Sequence, residues 1–465
     1  MTLSYISTRG KAPKLGFTGT TLAGLARDGG LYVPETLPAL PDISGLLYAQ
    51  AAFSVMAPFV GDDIPPADLK NIIDASYKVF SHPDIAPLHQ LDDNFYLLEL
   101  FHGPTLAFKD VALQFLGNLF DFILSRKDAR VTIIGATSGD TGSAAIEAFK
   151  GKKNADIFIL HPRGRVSEVQ RRQMTTVDAT NVFNIAVEGS FDDCQNIVKA
   201  LFNDETFRDD MALSAVNSIN WARILAQVVY YAHAAARLAK PVTFCVPTGN
   251  FGNIYAGHVA RGLKKQVGGA QIEKLIVATN RNDILHRFFA GGEMKTHAVA
   301  PSLSPSMDIQ ISSNFERLLF ELQNRDGATT GATMKTFRET GAFKAPAGIM
   351  AQLKKGFASG RLDDAETLAT IKATHDKYGY TADPHTAVGL GVAENWRAKN
   401  PETALVALAT AHPAKFPDAV KQATGFAPAL PPFLADLYDR PEKCDALPAD
   451  PAAVQKYMRE RAHKR

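Results

Sequence analysis

Short apolar runs alternate with helical stretches from residue 130 onward, and this alternation leaves the chain few folds to choose from. Residues 131–136, 156–160 and 182–187 read as strands. Helices are expected over 143–150, 167–177 and 191–202. A second series opens with a long helix over 220–238, rich in Ala, Val and Tyr. Strands at 242–246, 275–278 and 405–409 follow. Strands separated by helices predict parallel sheets covered on both faces. The expected fold is α/β: two open, mostly parallel sheets flanked by helices, with a cleft between them. A strand over 95–100 precedes the series, and before it some 90 residues carry turn signals such as Asp28-Gly29-Gly30 and Pro65-Pro66. The expected organisation is an N-terminal domain over 1–93, a large domain from 94–129 and 210–465, and a small mobile αβ domain over 130–209.

A chain of 465 residues exceeds one ordinary core, in keeping with several domains. Hydrophobic residues make up 46% and charged residues 21%, the profile of a globular protein. A net charge of +2 gives no global pull toward nucleic acid or membrane. No uncharged apolar run reaches membrane-spanning length, and residues 1–9 lack an apolar signal core, so the cytoplasm is the expected address. Cys194, Cys245 and Cys444 are far apart and fit no metal spacing, so no metal is expected. After Gly425 the chain is Pro-rich, and the basic stretch 456–465 reads as a solvated end.

The chemistry-bearing stretch is Phe101-His102-Gly103-Pro104-Thr105-Leu106-Ala107-Phe108-Lys109-Asp110. Residues 111–124 follow it with hardly any charge, apolar on nearly every face, and read as a buried helix. Lys109 would lie in its first turn. Burial and the positive helix end both disfavour an ammonium ion. A lysine that is partly neutral can attack a carbonyl and form a Schiff base. The plainer alternative is a lysine that snorkels to solvent or pairs with Asp110.

Thr248-Gly249-Asn250-Phe251-Gly252-Asn253 follows a strand and opens a helix. Its glycines admit close backbone approach, and the free N–H groups of the helix start suit a phosphate. Thr137-Ser138-Gly139-Asp140-Thr141-Gly142 has the same setting and adds hydroxyls, a combination that can hold a carboxylate. Helix capping would explain one such residue, but not four. Asn217-Ser218-Ile219-Asn220-Trp221-Ala222-Arg223 opens the long helix and offers amides, a hydroxyl and a guanidinium to a second anion. Capping with Arg223 on the surface explains it equally well. Thr410-Ala411-His412-Pro413-Ala414-Lys415-Phe416 follows the last strand, at the edge where open α/β sheets bind ligands. His412 is a conceivable base, although a structural histidine is the commoner case. A Schiff-base lysine with one phosphate cradle points to pyridoxal 5′-phosphate. Spare carboxylate and phosphate sites point to a phosphorylated amino acid.

These motifs, in this order, resemble the threonine synthase family, in the branch that includes the fungal and enterobacterial-type enzymes. The resemblance spans the chain from Tyr5-Ile6-Ser7-Thr8-Arg9-Gly10 to Phe416 and takes in Ser306-Met307-Asp308-Ile309 and Ser313-Asn314-Phe315-Glu316-Arg317. It implies a tryptophan-synthase-β-like fold (fold type II) whose large domain binds pyridoxal phosphate. It implies a carbon–oxygen lyase that turns O-phospho-L-homoserine and water into L-threonine and phosphate. Lys109 would carry the cofactor and act as the catalytic base. Gly249, Asn250, Phe251, Gly252 and Asn253 would hold its phosphate, and Thr410 would face the pyridine nitrogen. Thr137, Ser138, Asp140 and Thr141 match the loop near the substrate carboxylate, and Asn217, Ser218, Asn220 and Arg223 the segment near the substrate phosphate. No physical role follows from sequence for residues 307–317. Closure of the small domain is expected to exclude water. A monomer or weak homodimer with a small-molecule substrate, without nucleic acid or membrane partners, is expected. The alternatives are a serine or threonine dehydratase of the same fold, a non-catalytic homologue that binds pyridoxal phosphate, and a nucleotide-binding oxidoreductase, which would lack its usual G-x-G-x-x-G.

Overall fold

The computed structural model describes residues 3–265 and 271–463. They form two compact units. The first comprises residues up to Asp74, Phe80–His102 and Ser218–Pro428. The second comprises Ala75–Val79, Gly103–Asn217 and the chain from Ala429 on.

The first unit is built on a six-stranded sheet in the order Phe357–Arg361, Ile272–Thr279, Val242–Pro247, Ala404–Ala409, Phe95–Glu99, Leu88–Asp92. All neighbours are parallel except the last pair. Phe244 sits opposite Leu275 on one side and Val406 on the other. Val242–Pro247 and Ala404–Ala409 are buried along their whole length, as central strands covered on both faces must be. The expected strands are thus present, and two edge strands join them. Phe357-Ala358-Ser359-Gly360-Arg361 carries no apolar run because an edge strand has one neighbour and a less buried surface. The strand Tyr5–Ser7 pairs antiparallel with Tyr32–Pro34 in the same unit.

The second unit holds a parallel sheet ordered Asp445–Pro448, Val182–Glu188, Ala155–Pro162, Val131–Ala136, Leu213–Ser214. The helix Lys109–Lys127 begins at the lysine itself and is buried on nearly every face of its first three turns, as its sequence predicts. It ends where Asp128 turns left-handed and its N–H closes on Leu124 O. Gly117 lets it pack against Asp140–Phe149, since a Cβ there would lie 2.3 Å from Ala148 O. One expectation is corrected. The C-terminal stretch is no solvated end: Asp445–Pro448 joins the sheet, and Pro451–Arg461 is a helix that buries Val454, Tyr457 and Met458 against its core. The apolar spacing 454, 457, 458 is one helical stripe beneath a charged surface. Among the described residues no helix is long and apolar enough to cross a membrane.

Candidate active site

In the second unit, the chain reaches the Lys109 helix through Leu106, a left-handed residue at φ 62°. Asp110 is fully buried and accepts from Thr105 N at 2.8 Å and Thr105 Oγ1 at 2.6 Å, an arrangement that shapes the turn. Gly103 is required there, because a Cβ would lie 2.4 Å from the Asp110 side chain. Both Asp110 oxygens are thus engaged by Thr105. Lys109 Nζ donates to Asp140 Oδ2 at 3.0 Å, and both side chains are buried. A carboxylate at that distance stabilises an ammonium and opposes the effects of burial and helix end. The other Asp140 oxygen accepts from Gln170 Nε2 at 2.7 Å.

The loop 137–142 divides its labour. Thr137 Oγ1 accepts from Gly139 N at 3.0 Å and Gly142 N at 2.9 Å, so this hydroxyl shapes the loop from within. Gly139 has φ 145° and leaves no room for a side chain beside the Gln170 amide. Asp140 is committed to Lys109 and Gln170. The hydroxyls of the exposed Ser138 and half-buried Thr141 have no partner among the described residues and are free to meet a ligand. The start of the helix Asp140–Phe149 adds N–H groups suited to an anion.

In the first unit, Val242–Pro247 runs into the loop 248–251 and the helix Gly252–Gly262. A Cβ at Gly249 would lie 2.8 Å from Ser306 O, so only glycine fits. Phe251 is left-handed at φ 65°, and its ring is buried against Phe289, Phe315 and Phe357. Its contribution to a ligand is thus its backbone N–H. Asn253 Oδ1 accepts from Tyr230 and Tyr231, while its buried Nδ2 has no partner among the described residues.

Residues 217–223 also divide by role. Asn220 caps the helix Trp221–Leu238 by accepting from Ala222 N at 3.0 Å and donates to Thr21 O at 2.8 Å, so its side chain is structural. Asn217 falls in the second unit and Ser218 in the first. The Ser218 hydroxyl is unpartnered among the described residues. Arg223 is not on the surface. It is 3% exposed, and its Nε and Nη1 have no partner among the described residues. Burial holds its pKa down to about 10. Leaving such a charge buried and uncompensated costs several kcal/mol, so the position calls for an anion.

Thr410 follows Ala404–Ala409 directly. Its N–H donates to Thr386 Oγ1 at 3.0 Å, and its hydroxyl has no partner among the described residues. Thr386 and His385 are both held by Asp383, and His385 Nε2 accepts from Ser306 N at 3.2 Å. His412 Nδ1 accepts from Ala414 N at 3.2 Å, and burial pushes its pKa down to about 4. It is a neutral, structural histidine.

A group with an aldehyde and a phosphate asks for a primary amine and an anion cradle. The second unit carries a buried lysine at a helix start. The first carries a glycine with no room for a Cβ, a helix N-terminus and an orphaned buried amide donor on Asn253. These residues fit pyridoxal phosphate. Gln170, Asn314 and the Asp383–His385–Thr386 set were not singled out from sequence, except that Asn314 lay within a matched segment. Their partners are distant in the chain, and no local pattern marks them.

A mostly parallel α/β fold with a buried lysine at a helix start and a glycine loop opening a helix is the arrangement of a pyridoxal-phosphate-dependent enzyme. The family model for "Pyridoxal-phosphate dependent enzyme" matches residues 79–351. "Threonine synthase N terminus" matches 4–77, and "Threonine synthase, C-terminal" matches 386–458. The chain belongs to the threonine synthase family. It is 52% identical to the threonine synthase of Pseudomonas aeruginosa over 471 residues, 99% of each chain. It is 44% identical to that of Saccharomyces cerevisiae over 464 residues, 91% of this chain and 89% of the yeast one. The crystal structure of the PLP-bound threonine synthase from Brucella melitensis superposes with a TM-score of 0.96 at 50% identity, over 99% of this chain and 100% of that one.

Proposed function

We propose that the protein converts O-phospho-L-homoserine and water to L-threonine and phosphate, as a cytoplasmic enzyme of threonine biosynthesis, monomeric or weakly dimeric. The observation that carries the substrate is the buried, uncompensated Arg223 guanidinium, which lies outside the cofactor's own phosphate loop. A dehydratase acting on free serine or threonine needs no second phosphate site.

In this reading Lys109 carries the cofactor. Gly249, Asn250, Phe251, Gly252 and Asn253 would hold its phosphate, and Thr410 would offer a hydroxyl to its ring nitrogen. When bound, pyridoxal phosphate supplies the electron sink that lets protons leave carbon. Lys109 Nζ removes the Cα proton and returns it, and it moves protons at Cβ and Cγ. Asp140 stabilises that nitrogen while it carries the proton, and Gln170 holds Asp140 in place. Ser138, Thr141 and the helix-start N–H groups bind the substrate carboxylate, with Thr137 keeping the loop in shape. Arg223 and Ser218, with Asn217 nearby in sequence, bind the substrate phosphate and stabilise the charge that grows as its C–O bond breaks. Asn220 serves by capping the helix that carries Arg223. Water then adds at Cβ. The division into 1–93, 94–129 with 210–465, and a mobile 130–209 belongs to the same reading, although the compact units group Gly103–Asn217 with the chain from Ala429 on, and the N-terminal family match ends at residue 77.

The test is purified protein with O-phospho-L-homoserine, following phosphate, threonine and the cofactor absorbance together. Equal amounts of phosphate and threonine are expected. A cofactor band without either product overturns the substrate and returns the reading to a dehydratase or a non-catalytic binder.

A further inference from the structure

Residues 307–317 match the family in sequence, yet composition and spacing suggest no role for them. In the first unit they touch the backs of both anion loops. Asn314 is fully buried at the N-cap position of the helix Phe315–Leu322. Asparagine there ordinarily caps its own helix, but this side chain makes no cap bond. Its Nδ2 donates to Asn250 O at 3.0 Å and to Ser218 O at 3.2 Å. Its backbone N–H adds a second bond to Asn250 O at 3.1 Å. Arg317 donates to Asn314 Oδ1, which fixes the amide with its nitrogen toward the two carbonyls. Asn250 lies in the phosphate loop, and Ser218 in the segment that leads to Arg223. Space is tight around this amide: a Cβ on Gly252 would lie 3.2 Å from Asn314 Nδ2 and 3.6 Å from Ser218 O.

In a planar trans peptide, the C=O of one residue and the N–H of the next point in opposite directions. Holding Asn250 O from behind therefore turns the Phe251 N–H the other way. Ser312 Oγ, which donates to Gly249 O at 2.7 Å, does the same for the Asn250 N–H. The anchor beneath is buried and multiply hydrogen-bonded. Arg317 is fully buried and also donates to Tyr32 O at 3.1 Å and 3.0 Å and to Ile219 O at 2.6 Å. Beside it, Glu316 accepts from Thr8 Oγ1 at 2.7 Å and from Arg9 Nε at 3.0 Å and Nη2 at 2.9 Å.

We propose that Asn314 is a positioning residue that couples the cofactor's phosphate loop to the substrate-phosphate segment. One amide group holds a carbonyl of each, so a ligand that orders one loop prepares the other. The inference rests on the proposed function for which ligand each loop takes.

Asn314→Asp decides the matter. It keeps the side-chain shape and the Arg317 contact but replaces two donors by an oxygen that faces two carbonyls. Asn314→Ala is the second variant, and Ser312→Ala releases only the Gly249 carbonyl. Binding of pyridoxal phosphate to the apoprotein is read by absorbance. Binding of inorganic phosphate to the cofactor-loaded enzyme is read by calorimetry, with thermal unfolding of the apoprotein as the folding control. Both Asn314 variants are expected to weaken both affinities about tenfold, the loss of roughly one buried hydrogen bond each. Ser312→Ala is expected to weaken only the cofactor. Loss of one affinity alone in Asn314→Asp, loss of neither, or equal loss of both in Ser312→Ala overturns the coupling. If the wild-type protein binds both ligands with the expected variant pattern but makes no threonine, the reaction fails and the coupling holds.

Discussion

Lys109 and Asp140 form a buried ion pair 31 positions apart in sequence. The apolar frame and the helix start announce the lysine, but its partner is a tertiary contact. The adjacent Asp110 accepts from Thr105 N and Oγ1, and no spacing rule could have singled out Asp140 as a partner of the lysine. Two outcomes follow at this scale. Lys109→Ala is expected to abolish turnover and the cofactor band while leaving the far-ultraviolet circular dichroism unchanged. Asp140→Asn is expected to retain the band and lower kcat about 10- to 100-fold, less than the roughly 10²–10⁴-fold that a general acid–base itself contributes. An unchanged kcat would remove Asp140 from the proton account. His412 yields a pH prediction. With its pKa pushed from 6.5 down to about 4 by burial, it stays neutral in the folded protein while the unfolded chain takes up a proton. Its contribution to stability is complete above pH 6.5 and is lost as pH falls toward 4, by at most about 3 kcal/mol. Denaturant titrations of His412→Gln against wild type should show a shallower pH slope in that window.

Among the elements, the central strands and the long helices were legible because burial on both faces demands continuous apolar runs. The edges were not. Phe357–Arg361 and Asp445–Pro448 have one sheet neighbour each, and their sequences carry no apolar signal. Close approaches are likewise invisible in one dimension. Gly117 could have been a neutral helix residue, yet it sits where a Cβ would meet Ala148 O at 2.3 Å. Gly117→Ala, which would raise the propensity of an isolated helix, is expected to destabilise the protein by about 1–3 kcal/mol through overpacking. Urea unfolding measures this directly, and a gain in stability would show that the two helices can part.

Across the whole molecule, Arg9 of the Tyr5–Gly10 motif finds its partner in Glu316, 307 residues away. The carboxylate is 3% exposed and held by both nitrogens of the guanidinium fork. Removing the arginine would leave a buried charge beside Arg317. Arg9→Met is therefore expected to cost about 3–5 kcal/mol in unfolding free energy, measured by chemical denaturation. A change below 1 kcal/mol, as for exposed pairs, would show that water reaches Glu316. The C-terminal helix Pro451–Arg461 is similar in kind. Its apolar stripe has meaning only beside the sheet it covers.

The sequence by itself determined the fold class, the helix that starts at a buried lysine and the glycine loop that opens a helix after a central strand. Each depends on local physics: a two-sided strand must be apolar, and a helix start must expose N–H groups. The tertiary structure decided which carboxylate meets Lys109, that Arg223 is buried rather than surface-exposed, and that Asn314 serves two loops instead of its own helix. Those outcomes depend on hydrogen-bond partners tens to hundreds of residues away, and neither composition nor periodicity encodes distance in space.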